Sequence, residues 1–379
     1  MNGGAAVVTR RLMSALRGAG ADAKMLVYSK LTADPNIMQV GTRSVRSLTF
    51  MKERLGIMRS TGFNRDNLFK VSTADSGINL TSHPWIKEAD VIVLGWVNQG
   101  LLSLKGIKRL AETGKPLVWV MHDMWNMTGI CHHAMECDHF KGECGRCPYL
   151  HSDNPRDLSH RTWCRKQLLY DTTNIHFVAV SNWLARKCAE SSLLKGRDVS
   201  VIPNAFPIEA FTTRIQQELK VSALDYSKKI ILMGAARLDH PIKGLDYAID
   251  ALNEIFTKRP DIAATTTAVF FGDVRDASVF DRLNFPSLHL GTISDAKVLR
   301  ELYAAARVVL STSLYETLPG TLIEGQAAGA IPVTFDHGGQ ADIVDHLKSG
   351  YIAKYKDAKS VAEGILWALD ADIDPEALH

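Results

Sequence analysis

Short apolar runs, many of them β-branched, alternate with segments of helical periodicity along nearly the whole chain. This alternation predicts an α/β fold with parallel sheets built from βαβ units. Most runs are continuously apolar, as strands covered by helices on both faces require. We predict strands at 25–28, 91–94, 117–120, 177–180, 230–233, 268–271, 287–290, 308–311 and 331–334.

Both ends of the chain show incomplete patterns. Gly3 and Gly4 precede an amphipathic segment with Leu12 and Leu16 on one face, which is typical of the glycine turn and helix after a first strand. No strand pattern precedes them, and a new helix begins near Pro375 at the other end. We therefore expect the sequence to be part of a longer reading frame that supplies a first strand and a terminal helix.

The length of 379 residues exceeds what one hydrophobic core usually organises. Pro203 and Pro207 interrupt regular structure soon after a short apolar run. We predict an N-terminal Rossmann-like domain over 1–203 and a C-terminal Rossmann-like domain over 204–379.

Composition indicates an ordinary globular protein, with 46% hydrophobic and 22% charged residues. The sequence shows neither an apolar run of the roughly 20 residues that span a bilayer nor a secretory signal pattern, so we expect a cytoplasmic protein. Charge is uneven: residues 1–200 hold 27 Lys and Arg against 17 Asp and Glu, whereas the remainder is acidic. This asymmetry suggests an anionic partner for the first half, or merely solvated charge. Nucleic acid is not expected, because no recognition motif accompanies the basic residues.

The segment 311–329 carries the most informative polar residues. A strand ends at Ser311, Glu316 follows in a loop, and Pro319 and Gly320 open a helix with Glu324 on its second turn. We predict Pro319 at the first helical position, where its missing N–H costs nothing. The free amides at such a helix start attract phosphate, and the two carboxylates suit hydroxyl groups of a sugar and a ribose. The alternative is an ordinary surface loop.

Two cations follow the strand at 230–233. Arg237 and Lys243 lie in the link between this strand and a helical pattern that begins near Leu245. Ligands of open α/β sheets bind in the crevice at strand ends, so these side chains are candidates to neutralise a diphosphate. Taken singly, each is equally well an exposed loop charge.

The ordered combination of these motifs resembles the donor site of the family 4 retaining glycosyltransferases of the GT-B fold, in particular those of bacterial polysaccharide biosynthesis. The matching segments run through nearly the whole chain. They are Gly3-Gly4, His122-Asp123, Val180-Ser181, Ile202-Pro203-Asn204, Arg237, Lys243-Gly244, Gly272-Asp273, Leu290-Gly291, Glu316 with Glu324, 327–333 and Gly338-Gly339.

The resemblance implies two facing Rossmann-like domains with a cleft between them, the first for the acceptor and the second for a UDP- or GDP-linked sugar. It implies hexosyl transfer to a saccharide or lipid-linked acceptor with retention of configuration and no cofactor. The implied catalytic residues are His122, Glu316, Arg237 and Lys243. The implied donor-binding residues are Gly3, Gly4, Arg237, Lys243, Gly291, Thr292, Ile293, Glu316, Leu318, Pro319, Gly320, Thr321 and Glu324.

Two other functions share this architecture. One is a nucleotide-sugar epimerase, against which the Glu316 and Glu324 pair and Lys243-Gly244 argue. The other is a non-catalytic nucleotide-sugar-binding protein, which binding without turnover would identify. His122 also has two interpretations, a group that orients the sugar or a structural hydrogen-bonding residue.

A cysteine-rich loop spans 129–148. Cys144 and Cys147 have the short spacing of a zinc knuckle, and Cys131 and Cys137 are available to complete a tetrahedral structural site. Packed reduced thiols and disulfides are the alternatives. A structural zinc site is therefore one of three predictions for this loop.

The segment 43–70 is basic and interspersed with apolar residues such as Leu48, Met51 and Leu55. We predict that this segment contacts the inner face of an anionic membrane. This peripheral contact brings a lipid-linked acceptor to the enzyme. The alternative is an amphipathic helix packed on the core.

Overall fold

The computed structural model describes residues 4–211 and 221–379. The chain divides into two compact units, Met1–Ala205 and Phe206–His379. Each unit contains parallel sheets and flanking helices.

The first unit has a two-stranded sheet of order β1-β2 and a four-stranded sheet of order β3-β4-β5-β6, all parallel. Its strands are β1 Met25–Val27, β2 Ile37–Gln39, β3 Ile92–Leu94, β4 Leu117–Met121, β5 Ile175–Ala179 and β6 Val199–Val201. Its helices are α1 Gly4–Gly18, α2 Arg43–Ser60, α3 Pro84–Glu88, α4 Leu104–Ala111, α5 Leu158–Asp171 and α6 Asn182–Glu190.

The second unit has one six-stranded parallel sheet of order β12-β11-β10-β7-β8-β9. Its strands are β7 Lys229–Arg237, β8 Thr266–Asp273, β9 Ser287–His289, β10 Val308–Ser311, β11 Ile331–Phe335 and β12 Tyr351–Ala353. Its helices are α7 Leu245–Lys258, α8 Pro260–Thr265, α9 Ala296–Ala305, α10 Gly320–Ala327, α11 Ala358–Asp370 and α12 Pro375–Leu378.

Both faces of this second sheet are buried, which explains its continuously apolar strands. Along β7, Ile231 and Met233 join the core that contains the buried faces of α7 and α11. Ile230 and Leu232 point to the opposite core, with residues of α9 and α10. Because successive side chains of a strand alternate between faces, a strand covered on both sides needs apolar residues throughout.

The structure corrects several predicted boundaries. β7 continues through Gly234 to Arg237, four residues beyond the apolar run. Pro319 is the N-cap of α10 and the helix begins at Gly320, so Pro319 does not occupy the first helical position. In α1 the buried residue is Met13, whereas Leu16 is exposed.

Candidate functional site

The candidate donor site of the second unit lies at the carboxyl ends of its central strands. The chain runs outward from β7 to β8 and β9, then returns so that β10 pairs with the other side of β7. Such a reversal opens a crevice at the strand ends, where open α/β sheets bind ligands. Arg237 is the last residue of β7, and the loops after β7 and β10 carry Lys243 and Glu316 to this edge.

Lys243 is positioned by a tight fit between the two loops. It ends a 3-10 turn, and Gly244 follows in a left-handed conformation with φ 61°. A Cβ at Gly244 would lie 2.1 Å from the Thr312 carbonyl oxygen, and the Thr312 hydroxyl donates to the Gly244 carbonyl at 2.8 Å. Only glycine allows this approach, so the loop after β7 is pressed against the end of β10.

The Lys243 ammonium forms an ion pair with the Glu316 carboxylate. Both side chains are partly exposed. The structure therefore brings together two of the predicted site residues although 73 positions separate them.

Arg237 is held by Asp239, a residue that the sequence analysis did not single out. The Nε of Arg237 donates to Oδ1 of Asp239 at 2.8 Å. The other oxygen, Oδ2, accepts the backbone N–H of Arg275 at 3.0 Å. The hydrogen bond from Arg237 lowers the pKa of the Asp239 carboxyl. Because the ion pair engages Nε, the two terminal nitrogens remain as donors for a bidentate partner.

The start of α10 presents Leu318, Pro319, Gly320 and Thr321, all half-buried or buried. Gly320 lies against the ring of Phe206, where an added Cβ would be 3.2 Å from a ring carbon. Glu324, one turn further, is only 8% exposed. Its carboxylate reaches back to within 4.0 Å of the Cβ position of Gly320, so it lies beside the helix start.

Gln340 supports the loop that carries Glu316. Like Asp239, it was not among the predicted site residues. It is fully buried; its amide donates to the Ser313 carbonyl at 2.9 Å and accepts from the Ser311 hydroxyl at 3.1 Å. The backbone N–H of Gly339 donates to the Glu316 carbonyl at 2.8 Å. The Gly338-Gly339 motif thus supports the backbone of Glu316.

Three of the predicted donor-binding residues, Gly291, Thr292 and Ile293, follow β9. Gly291 adopts φ 65°, and its carbonyl accepts the N–H of Gly272 at 2.8 Å. Thr292 is exposed, and Ile293 packs partly against the core. The segment is therefore fixed at the same edge of the sheet as Arg237.

In the first unit, His122 directly follows β4 and lies close to α1. Its Nε2 is 3.4 Å from the Thr9 hydroxyl, which itself donates to the Ala5 carbonyl at 2.7 Å. Burial lowers the pKa of His122 from 6.5 to about 4, although the neighbouring Asp123 opposes the shift. The imidazole is therefore neutral at pH 7.

Asp123 is the centre of a buried polar network. One oxygen, Oδ2, accepts from Nδ1 of His132 at 2.7 Å and from the indole N–H of Trp96 at 2.9 Å, while Oδ1 accepts the N–H of Trp125 at 2.8 Å. Nε2 of His132 is 3.1 Å from the Ser72 hydroxyl. Burial by itself raises the pKa of Asp123, but His132 and these hydrogen bonds outweigh it and bring the pKa to about 2.

The glycines at the start of the chain add little to this picture. Gly4 begins α1, is exposed, and has no atom within 4 Å of an added Cβ. Gly3 lies outside the described residues.

The zinc prediction for the cysteine-rich loop is not supported. Among residues 4–211 and 221–379, no group of three or more His, Cys, Asp or Glu is arranged to hold a metal ion. Cys131, Cys137, Cys144 and Cys147 are free and line a cavity of about 20 Å³ together with apolar side chains. Burial raises the pKa of Cys144 to about 11 and of Cys147 to about 12, so both are neutral thiols at pH 7.

The segment 43–70 forms α2 and the loop after it. Leu48, Met51 and Leu55 are exposed on the helix, as are Lys52 and Arg59. Its Arg54 is an exception: burial lowers the pKa of Arg54, which donates to the Val71 carbonyl at 3.2 Å. In the part of the chain that the structure describes, no helix is long and apolar enough to cross a membrane.

Sequence comparison finds similarity between this chain and known proteins. Residues 227–371 match the family model described as Glycosyl transferases group 1. The putative colanic acid biosynthesis glycosyl transferase WcaC of Escherichia coli is 30% identical over 116 residues, 28% of this chain and 27% of WcaC. The uncharacterized glycosyltransferase MJ1607 of Methanocaldococcus jannaschii is 26% identical over 262 residues, 65% of this chain and 63% of MJ1607. The chain thus matches less than two thirds of the length of either relative.

Solved structures extend the likeness to nearly the whole chain. Sucrose-phosphate synthase from Thermosynechococcus elongatus superposes with a TM-score of 0.63 at 15% identity, over 99% of this chain and 85% of that one. Anabaena Alr3699/HepE in complex with UDP-glucose gives 0.57 at 17% identity, over 98% and 87%. At such low identity these matches establish the fold alone. The chain has the GT-B fold of two Rossmann-like domains, and its residues 227–371 carry the sequence pattern of group 1 glycosyl transferases.

Proposed function

We propose that this protein is a retaining glycosyltransferase that moves a hexosyl group from a nucleotide diphosphate sugar to a saccharide or lipid-linked acceptor. The observation that carries the proposal is the convergence of Lys243, Glu316 and the start of α10 at the strand ends of the second unit. The UDP-glucose bound to the similar Alr3699/HepE structure supports a donor of this class.

The donor roles follow from the chemistry of the groups. Arg237 and Lys243 neutralise the diphosphate, and the amides of 318–321 donate to it. Glu316 accepts hydroxyls of the transferred sugar, and Glu324 those of the ribose. A diphosphate carries more charge than one carboxylate, so we expect it to draw Lys243 away from Glu316 and leave that carboxylate for the sugar.

His122 takes part as a neutral hydrogen-bonding group. Its low pKa leaves it without a charge at pH 7, which suits orientation of a hydroxyl better than donation of a proton. The departing phosphate then accepts the proton of the acceptor hydroxyl on the same face of the sugar, which gives retention. We assign acceptor binding to 1–203 and donor binding to 204–379.

Turnover tests the activity directly. Purified protein is incubated with UDP-, GDP- and ADP-sugars and saccharide acceptors, and free nucleotide diphosphate is measured. We expect release with one nucleotide family, and a loss of about 100-fold or more in Glu316→Gln, because the sugar loses a charged hydrogen-bond partner.

The anomeric proton of the first product formed, followed by NMR, distinguishes retention from inversion. An inverted product would contradict the retaining assignment. Binding of a nucleotide sugar without release of nucleotide would instead favour a non-catalytic binding protein, and interconversion of the donor sugar an epimerase.

We also propose that α2 contacts an anionic membrane at its inner face. Exposed Leu48, Met51 and Leu55 recur at helical spacing, with Lys52 and Arg59 on the same exposed helix. An interfacial helix of this kind inserts its apolar side chains at the lipid boundary while its cations meet acidic headgroups.

A further inference from the structure

Trp96 stands out as an exposed aromatic residue at the strand ends of the first unit. It lies two residues beyond the end of β3, which pairs in parallel with β4, and His122 directly follows β4. The carboxyl ends of β3 and β4 are neighbours, and the Trp96 indole bonds to Asp123, the residue next to His122. The ring is therefore at the same edge of the sheet as His122, in the unit to which we assign the acceptor.

The ring is held on two sides. Its N–H donates to Oδ2 of Asp123 at 2.9 Å, and Asp123 is itself fixed by His132 and Trp125. The Trp96 ring packs against the His132 ring, with 5.5 Å between the ring centroids and 36° between the ring planes. Because the polar edge is already bonded, the surface that remains open is apolar.

The exposure of this ring is unusual for the region. Trp96 is 36% exposed, whereas Trp119 and Trp125, which belong to the same part of the fold, are 2% and 1% exposed. A fixed, flat aromatic surface that stays partly exposed to water lacks the favourable free energy of burial. Contact with a ligand provides that free energy.

We propose that Trp96 is a stacking platform for a pyranose ring of the saccharide acceptor. The C–H face of a pyranose is apolar and electropositive, and it complements the negative face of an indole. The inference rests on the proposed function, which assigns the acceptor to the first unit and places the donor on Arg237, Lys243, Glu316 and Glu324 of the second.

The test observes the ring itself. Protein labelled with 5-fluorotryptophan has seven indole signals, and Trp96→Phe identifies the one from Trp96. The labelled protein is titrated with methyl glucopyranoside, galactopyranoside and mannopyranoside, each with and without UDP, and separately with UDP-glucose. Sorbitol is the control, because it offers the hydroxyls without the ring.

We expect at least one pyranoside, and not sorbitol, to shift the Trp96 signal saturably. Trp96→Ala should weaken that pyranoside by about tenfold, and Trp96→Phe by less, because it keeps a smaller ring. Trp163→Ala is the matched control: Trp163 also packs against a histidine ring and donates its N–H to a side-chain oxygen, but it lies within α5. It should leave pyranoside affinity unchanged.

Three outcomes overturn the inference. The first is protein that binds UDP and releases nucleotide from a sugar donor, yet shows no shift of the Trp96 signal with any pyranoside; the proposed function then stands alone. The second is a shift caused by UDP-glucose but not by free pyranosides, which assigns the ring to the donor. The third is an equal loss of affinity in Trp163→Ala, which indicates a general effect on folding.

Discussion

Each predicted cation of the donor site has a carboxylate partner from its own unit. Lys243 pairs with Glu316, and Arg237 pairs with Asp239. The two pairs differ in what holds the carboxylate. Asp239 is fixed by the backbone N–H of Arg275, so we infer that its role is to orient Arg237, whereas Glu316 has a ligand role of its own.

Asp239→Ala should weaken nucleotide diphosphate binding by about tenfold, because an unrestrained Arg237 gives up part of a charge-assisted contact worth roughly 1.5–3 kcal/mol. Calorimetric titration with the nucleotide measures the loss. Asp239→Asn, which retains a hydrogen-bond acceptor for Arg237, should recover part of the affinity. Equal affinity in wild type and Asp239→Ala would contradict an orienting role.

The pKa of His122 predicts how stability depends on pH. Its pKa in the folded protein is about 4 against 6.5 for the free side chain, so between these values the unfolded state binds more protons. The low pKa therefore has no effect on the free energy of unfolding above pH 6.5. It lowers that free energy increasingly as pH falls towards 4. The cost is on the order of 1–3 kcal/mol.

His122→Asn removes this titration. The difference in melting temperature between wild type and variant should be constant above pH 6.5 and should change in favour of the variant as pH falls to 4. Thermal denaturation across this range measures it. A difference that does not depend on pH would contradict the low pKa.

At the scale of elements, the contact between the loops after β7 and β10 sets the site. Gly244→Ala should destabilise the second unit by roughly 2–4 kcal/mol, since it adds a close contact with Thr312 to the strain of a positive φ. Gly291→Ala is the matched control, because φ is 65° there but no atom lies within 4 Å of an added Cβ. It should cost about 1 kcal/mol.

Calorimetric melting of both full-length variants provides the measurement. The transition of the second unit should fall further in Gly244→Ala, and nucleotide affinity should fall with it because Lys243 precedes the altered residue. Equal destabilisation by the two substitutions would show that the close approach of the loops is not needed.

The strands that the sequence predicted well are those covered on both faces. β10, for example, consists of the apolar run Val308–Leu310 followed by Ser311, and every residue in it is buried. β2 and β12 were not predicted: neither belongs to an apolar run longer than three residues, and β2 mixes one buried residue with two exposed ones. Such edge strands carry too few apolar positions for a periodic signal.

The sequence likewise predicted only part of the candidate site. Charged and glycine residues next to strand ends identified Lys243, Glu316 and Glu324 as candidates. The supporting contacts of Asp239 and Gln340 depend on which loops meet in space, and local sequence carries no signal for that. The cysteine spacing suggested zinc, but spacing alone does not show whether the side chains converge, and no group of three or more metal-binding side chains does so among the described residues.

At the scale of the whole molecule, basic residues concentrate in the first half, and α2 offers both charge and apolar surface. Lys52→Glu with Arg59→Glu should reduce sedimentation with anionic vesicles by roughly tenfold or more, as each basic residue near such a surface contributes about 1 kcal/mol. Lys105→Glu with Lys195→Glu makes the same change in net charge at exposed positions elsewhere in the first unit and should have a smaller effect.

Sedimentation with neutral vesicles completes this test. Leu48→Ser with Met51→Ser should weaken binding to anionic vesicles without any change in charge, since the apolar stripe is lost. Equal partitioning of the wild type into anionic and neutral vesicles would exclude the proposed surface.

The proposed function requires that the second unit bind a nucleotide diphosphate through Lys243. A thermal-shift screen of UDP, GDP, ADP and their sugar conjugates tests it most directly, because a ligand that binds only the folded state raises its melting temperature. Lys258→Ala is the matched control, since Lys258 also pairs with a glutamate, Glu254, but lies at the far end of α7. We predict that one nucleotide family stabilises the wild type and Lys258→Ala, and that Lys243→Ala loses this effect. Stabilisation of Lys243→Ala equal to that of the wild type, or no stabilisation of folded wild type by any nucleotide, would contradict the account.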